Sequence, residues 1–262
     1  DLGFTDNPIL TPNMKLERGE APAKARIGWM RSVSNIFHAF AVQSFINEAA
    51  HKAGKDSKDY LLEVIGPDRI IDVTDQKAEY QNYWGDKSVY PLDTGRLRNV
   101  IEKVSEMAGW GRDMPKGRGL GIAAHRSFLT YVATVVEVEV SDAGDLNVIK
   151  SWVAIDAGTV VNTDTVKNQT QGGSVFGITT AISDGITFDK GRVQQSNFHN
   201  YRVPRMSDSP LEVEVEVIES DAPPAGVGEP ATPVYAPALC NAIFAACGKR
   251  IRQLPIGNQL KA

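Results

Sequence analysis

The feature that most constrains the fold is a pair of long, valine-rich segments separated by a tight turn signal. Thr130 to Val140 carries Val132, Val135, Val136, Val138 and Val140, β-branched residues with partial alternation. Asp142-Ala143-Gly144-Asp145 follows as a turn, and Leu146 to Ile155 returns as a second strand. The two strands and the turn between them read as a hairpin. Gly119 to Ala124, small and apolar, reads as a further buried strand. Leu211 to Ile218 alternates strictly, Leu211, Val213, Val215 and Val217 against Glu212, Glu214 and Glu216, as a half-exposed strand does.

Helices are expected around this sheet. Ile36 to Gly54 has Phe37, Phe40, Ala41, Phe45 and Ile46 at helical spacing, with Gly54 as the stop. Ser57 to Ile65 is a short helix ended by Gly66-Pro67, and Asp68 to Val89 is a polar excursion loop. Asp93 or Thr94 caps a helix whose buried stripe is Leu97, Val100, Ile101, Val104 and Met107, ended by Gly109 and Gly111. Asp164 to Ser183 reads as a helix, and Ile186 to Gln195 as a small hairpin about Asp189-Lys190-Gly191. Pro237 to Arg252 is a helix with Leu239, Ile243, Phe244, Cys247 and Ile251 on one face. This order of elements defines an α+β, or mixed α/β, fold without internal repeats.

Composition narrows the function classes. At 262 residues, with 42% hydrophobic and 23% charged residues, the chain can bury a sizeable core. A net charge of −4 with no basic stripe argues against nucleic acid. Cys240 and Cys247 lie two helical turns apart, about 10 Å, too far for a disulfide, and both are expected to be free, buried thiols. The chain starts at Asp1 without an initiator Met, and residues 1–25 read as an entry into the middle of a fold, as for a processed chain or a segment of a longer one. The four histidines are scattered, with no HExxH and no Cys/His cluster, and no protein-ligated metal is expected. There is no P-loop, no GxGxxG after a strand and no GxSxG.

The strongest chemical signal is Gly226-Val227-Gly228-Glu229-Pro230. The glycines permit torsions closed to other residues and a close approach of the main chain to a ligand. Pro230 restricts Glu229 to extended torsions, presenting the carboxylate from a stiffened loop. Neighbours such as Val227 and Pro233 would suit that carboxylate to proton abstraction. The alternative is a proline-rich connector with a solvated glutamate. Arg31, in Gly28-Trp29-Met30-Arg31-Ser32-Val33, lies near a helix start, where the dipole prefers anions; it suits a bound oxyanion or stacks on Trp29. Asn168-Gln169-Thr170-Gln171-Gly172-Gly173 places two glycines in a helix, explained either by a ligand or by tight packing.

Taken in order, these segments resemble one family. Gly226 to Pro230, then Tyr235-Ala236-Pro237-Ala238 and Asn241 to Ala246, resemble the end of the molybdopterin-binding subunit of the xanthine oxidase family. Within it the subgroup of isoquinoline 1-oxidoreductase large subunits and related aldehyde dehydrogenases is the nearest likeness, through Met30 to Val33, Ala39 to Phe45, Asp156-Ala157-Gly158, Val161-Asn162, Gln169 to Gly173 and Gln195 to Tyr201. Ser32-Val33 stand where other branches have a glycine-phenylalanine pair. The resemblance implies part of a molybdenum hydroxylase large subunit, oxidising an N-heteroaromatic compound or an aldehyde with water as oxygen source. It implies Glu229 as the catalytic base, with Arg31, Gln169, Gly226, Val227 and Gly228 binding the cofactor. The cofactor would be molybdopterin in its cytosine dinucleotide form with molybdenum. Partners would be the remainder of the large subunit, a small [2Fe-2S] subunit carrying the iron–sulfur clusters, and an electron acceptor such as a cytochrome, at a periplasmic or membrane-associated location. Residues 1–115 and 116–262 would be portions of two cofactor-binding subdomains, inactive as this chain alone. The competing reading is a scaffold or docking module that keeps the fold without the cofactor.

Overall fold

A computed structural model describes residues 2–23, 25–73 and 80–261. Its centre is a four-stranded mixed sheet formed by β3 (Arg118–Ser127), β4 (Thr130–Val140), β5 (Leu146–Asp156) and β8 (Glu212–Val217), in the order β3-β4-β5-β8. The first three strands are an antiparallel meander, and β8 lies parallel to β5. A parallel neighbour needs a crossover, and that crossover contains α4 (Thr163–Ile182). Along β5 the register steps from Lys150 to Val148, so Ile149 has no partner and the strand's side chains change faces there.

Both faces are covered. On one, Val132, Val136, Val153 and Ile155 pack with Ile178 of α4 and with Leu239 and Ile243 of α5 (Tyr235–Cys247). On the other, Ala133, Val135, Trp152 and Ala154 pack with α3 (Thr94–Ala108) and α2 (Ser57–Ile65). Gly119 and Gly121 make the first layer possible. A Cβ on Gly121 would stand 2.1 Å from the Ala242 nitrogen, and one on Gly119 2.5 Å from that of Ala246, so α5 rests on bare β3 backbone. Asn241 of α5 adds a buried hydrogen bond from Nδ2 to the Ile122 carbonyl, 3.1 Å.

Helix signals are met closely at α2 and α3. Asp56 caps α2, accepting from the Lys58 and Asp59 N–H groups, and Asp93 caps α3, accepting from Gly95 and Arg96. Gly109 ends α3 in the left-handed conformation. α1 (Asn35–Lys52) forms as expected, with part of the expected face turned out: Ile36, Ala39, Gln43, Ile46 and Ala50 are buried and Phe40 packs against the core, while Phe37, Ala41 and Phe45 are exposed. α5 begins two residues early and stops at Cys247, where Gly248 takes left-handed torsions, so Cys247 is exposed and only Cys240 is buried. Leu211 is exposed outside β8, whose one buried valine is Val215. Within the expected excursion loop, residues 74–79 lie outside the described residues. The loop also holds the short β1 (Ile70–Ile71), paired with β2 (Leu92–Asp93), and a left-handed turn at Asn82–Trp84. β6 (Phe188–Asp189) and β7 (Arg192–Val193) form the small exposed hairpin.

Candidate functional site

Three segments distant in sequence meet around Glu229: the turn before α1, the first half of α4, and the loop between β8 and α5. That loop is tied down at its start. The Gly226 N–H donates to the Phe128 carbonyl at 3.1 Å, the Thr130 hydroxyl donates to the Gly226 carbonyl at 2.7 Å, and the Ala225 N–H donates to Ala157. Val227 packs against the core beside α4 and α5. The chain therefore emerges from the hairpin end of β3 and β4 already fixed.

Gly228 presents its carbonyl to three donors. Gln169 Nε2 reaches it at 2.9 Å, Arg31 Nε at 2.9 Å, and Arg31 Nη2 adds a further short contact. The Arg31 guanidinium also lies 5.7 Å from the centre of the Phe176 ring, so its aromatic neighbour is on α4 rather than Trp29, which is 85% exposed. Glu229 is half-buried. Its Oε1 accepts the Ser32 N–H at 3.0 Å and its own carbonyl accepts the Ser32 hydroxyl at 2.8 Å. Oε2 accepts no hydrogen bond from the described residues. One carboxylate oxygen is oriented by the turn before α1 and the other is not.

Neither of the two loop glycines takes left-handed torsions. A Cβ at Gly226 would come within 3.1 Å of the Phe128 Cβ, so the loop passes close to the turn between β3 and β4 there. At Gly228 a Cβ would meet nothing within 4 Å, and the same holds at Gly172 on α4. Gly173 and Gly177 answer to packing: a Cβ there would press on Ala231 at 3.0 Å and on Tyr235 Cβ at 2.4 Å. The Thr232 hydroxyl completes that contact by donating to the Gly173 carbonyl, 3.1 Å.

Backbone strain collects around this site. Ser32 and Val33 have φ of 72° and 51°, Asn82, Tyr83 and Trp84 have 46°, 53° and 63°, and Phe128 and Leu129 have 51° and 71°. Such torsions cost non-glycine residues about 1–2 kcal/mol each, so the surroundings must hold them. Tyr83 touches the site's periphery through its ring, 5.0 Å from that of Phe128, and through its hydroxyl, 2.9 Å from Asn35 Oδ1. Nothing in residue type marks these turns, apart from the asparagine at position 82. Sequence reasoning accordingly missed Ser32 as the partner of Glu229, and it missed Asn35 and Tyr83 altogether.

Among the described residues no group of three or more His, Cys, Asp or Glu side chains could hold a metal ion. What the site offers is a guanidinium, a carboxamide, and exposed backbone at Gly228 and Gly172. That donor set fits a large anionic group rich in hydrogen-bonding atoms, such as a pterin with its phosphate, approaching glycine backbone closely. The cavity of about 460 Å³ beside Asp184 is lined by other residues, within 198–205.

The molybdopterin cofactor-binding domain family matches residues 43–210. The chain is 32% identical over 240 residues to a membrane-bound aldehyde dehydrogenase [pyrroloquinoline-quinone] of Gluconacetobacter polyoxogenes, covering 88% of this chain and 29% of that protein. It is 36% identical over 161 residues to isoquinoline 1-oxidoreductase subunit beta of Brevundimonas diminuta, covering 60% of this chain and 20% of that protein. Over 86% of this chain and 40% of the other, the fold matches aldehyde oxidoreductase from Desulfovibrio gigas with a TM-score of 0.65 at 13% identity. The chain belongs to the molybdopterin cofactor-binding domain family and corresponds to a portion of a molybdenum-binding subunit of the xanthine oxidase type. It spans less than a third of the length of the curated relatives it matches.

Proposed function

We propose that this chain is part of the large subunit of a molybdenum hydroxylase and that Glu229 is its catalytic base, acting on an N-heteroaromatic compound or an aldehyde. The observation that carries the reading is the posture of Glu229: one carboxylate oxygen held by the Ser32 N–H and the other without a partner among the described residues. In the overall reaction a substrate C–H and water become C–OH, two protons and two electrons, and the bound molybdenum cofactor supplies the two-electron oxidant. Glu229 Oε2 takes a proton at the site where water is activated. Arg31 and Gln169 hold the Gly228 carbonyl and so fix the distance of the loop from whatever lies against its open backbone. Arg31 Nη1, with no hydrogen bond within the described residues, faces the cofactor's anionic groups in this reading.

Several finer assignments belong to the same proposal. The cofactor is the cytosine dinucleotide form, iron–sulfur clusters reside on a small partner subunit, and a cytochrome receives the electrons. Residues 1–115 and 116–262 contribute to two cofactor-binding subdomains completed by the remainder of the large subunit. The location is periplasmic or membrane-associated. The similarity to a protein named as membrane-bound supports this, and no helix among the described residues is long and apolar enough to cross a bilayer.

The test is Glu229→Gln in the assembled enzyme, with turnover, molybdenum and pterin measured on the same preparation. Turnover is expected to fall about 10²–10⁴-fold, as for loss of a general base, with metal and pterin at wild-type levels. Loss of the cofactor in parallel would make Glu229 a structural residue instead. A wild-type assembly devoid of molybdenum and pterin would favour the scaffold reading.

A further inference from the structure

The turn that holds Glu229 is itself held by one buried amide. Asn35 is fully buried, and its backbone N–H and side-chain Nδ2 both donate to the Ser32 carbonyl, each at 3.0 Å. A carbonyl can only accept, so the amide's orientation is fixed and Oδ1 points the other way. There it receives the Tyr83 hydroxyl at 2.9 Å and His125 Nε2 at 2.9 Å. His125 therefore carries its proton on Nε2. Gly3 closes the chamber, since a Cβ on it would stand 2.4 Å from Asn35 Oδ1.

Every hydrogen-bonding position of this side chain but one is thereby used, and each bond runs to a different segment. Double donation onto the Ser32 carbonyl turns the preceding peptide, whose N–H then meets Glu229 Oε1. Tyr83 stands in one left-handed turn, and its ring packs on Phe128, which stands in another and anchors Gly226. Three of the strained turns are thus joined, through one carboxamide and the Tyr83–Phe128 ring contact, to Gly226 and Glu229 of the pentapeptide 226–230.

We propose that Asn35 is a positioning residue for Glu229: it fixes the left-handed Ser32–Val33 turn and through it the direction of the carboxylate, with Tyr83 and His125 setting the amide. This rests on Glu229 as the base. Asn35 touches neither Glu229 nor any ligand position, and no role for it in holding the cofactor is implied.

The experiment uses the assembled enzyme with Asn35→Asp and, separately, Tyr83→Phe. Asn35→Asp keeps shape and acceptors but removes the Nδ2 donor and sets a carboxyl oxygen against the Ser32 carbonyl. Its kcat is expected to drop about 100-fold, the scale of a misplaced catalytic group, with KM, molybdenum and pterin little changed. Tyr83→Phe removes one of the two bonds on Oδ1 and should lower kcat in the same sense by about tenfold. Hydrogen exchange gives a second readout: peptides covering Met30–Ile36 and Gly228–Val234 should exchange faster in both variants, with β4 and β5 unchanged. Wild-type kcat and exchange in Tyr83→Phe would overturn the proposal, whether or not Asn35→Asp assembles, and so would kcat losses that track lost pterin. Glu229→Gln run alongside separates the two ideas. If it turns over normally the base assignment fails, while exchange at Met30–Ile36 still decides what Asn35 does.

Discussion

Glu229 owes its pose to side chains and peptides nearly two hundred residues away, and single residues around it make separable predictions. His125 is the one with a pH signature. Burial, with the charges of His38 and Arg126 adding to it, pushes His125 down to about 3 from an ordinary 6.5. Between those values the unfolded chain binds the extra proton, so the stability tied to this group is complete above pH 6.5 and is lost as pH falls toward 3. The steepest loss is about 1.4 kcal/mol per pH unit. Asp6, whose carboxyl is raised by burial although Arg126 faces it, acts in the opposite sense and favours folding on acidification. His125→Gln, which keeps a donor for Asn35, should flatten the decline of the thermal midpoint between pH 6.5 and 4. An unchanged decline would show that the proton binds elsewhere. The candidate residues Arg31, Gln169, Gly228 and Glu229 were all legible in the sequence as local oddities, an arginine before a helix and glycines around an acid. That Arg31 and Gln169 share the Gly228 carbonyl, and that Ser32 holds Glu229, was not, because long-range hydrogen bonds leave no periodic trace.

At the scale of elements, glycines in this chain divide by what surrounds them. Gly121→Ala would drive a methyl into the Ala238 carbonyl and the Ala242 nitrogen of α5, backbone that cannot step aside. Destabilisation of about 3 kcal/mol or more is expected in denaturant titration, at the upper end for overpacking. Gly172→Ala meets nothing and gains helix propensity, so α4 should be stabilised by about 1 kcal/mol. The same methyl would stand on the open face assigned to the cofactor, so pterin content should fall while the melting temperature rises. A variant that gains stability and keeps its pterin would move the cofactor off this face. Capped helices and the long hairpin could be read closely because their signals are local: Asp56, Asp93, Gly109 and the β-branched run. The face of α1 could not, since Phe37, Ala41 and Phe45 form a stripe as regular as the buried one of Ile36, Ala39, Gln43 and Ile46. Periodicity says that a helix has an apolar side; only the packed sheet says which side it chose.

For the whole molecule, the outward apolar residues matter more than the core. Trp29, Phe37, Phe45 and Leu211 are exposed, and the chain spans only a fraction of its relatives' length. Expressed separately, it is expected to show no turnover and no bound molybdenum. On the proposed function, both should appear on co-production with the proposed remainder of the large subunit and small subunit, checked by metal analysis of the purified assembly. Activity of the separate chain would contradict the division of the site proposed above.

The glycine stripe of β3 also limits how the site can move. With helix backbone seated directly on strand backbone, α5 has no side-chain cushion on which to slide or roll, and the loop that feeds it inherits that stillness. Ser32 and Asn35 tie the turn ahead of α1 to that same loop, so the acid and the residues that orient it rest on one unyielding support.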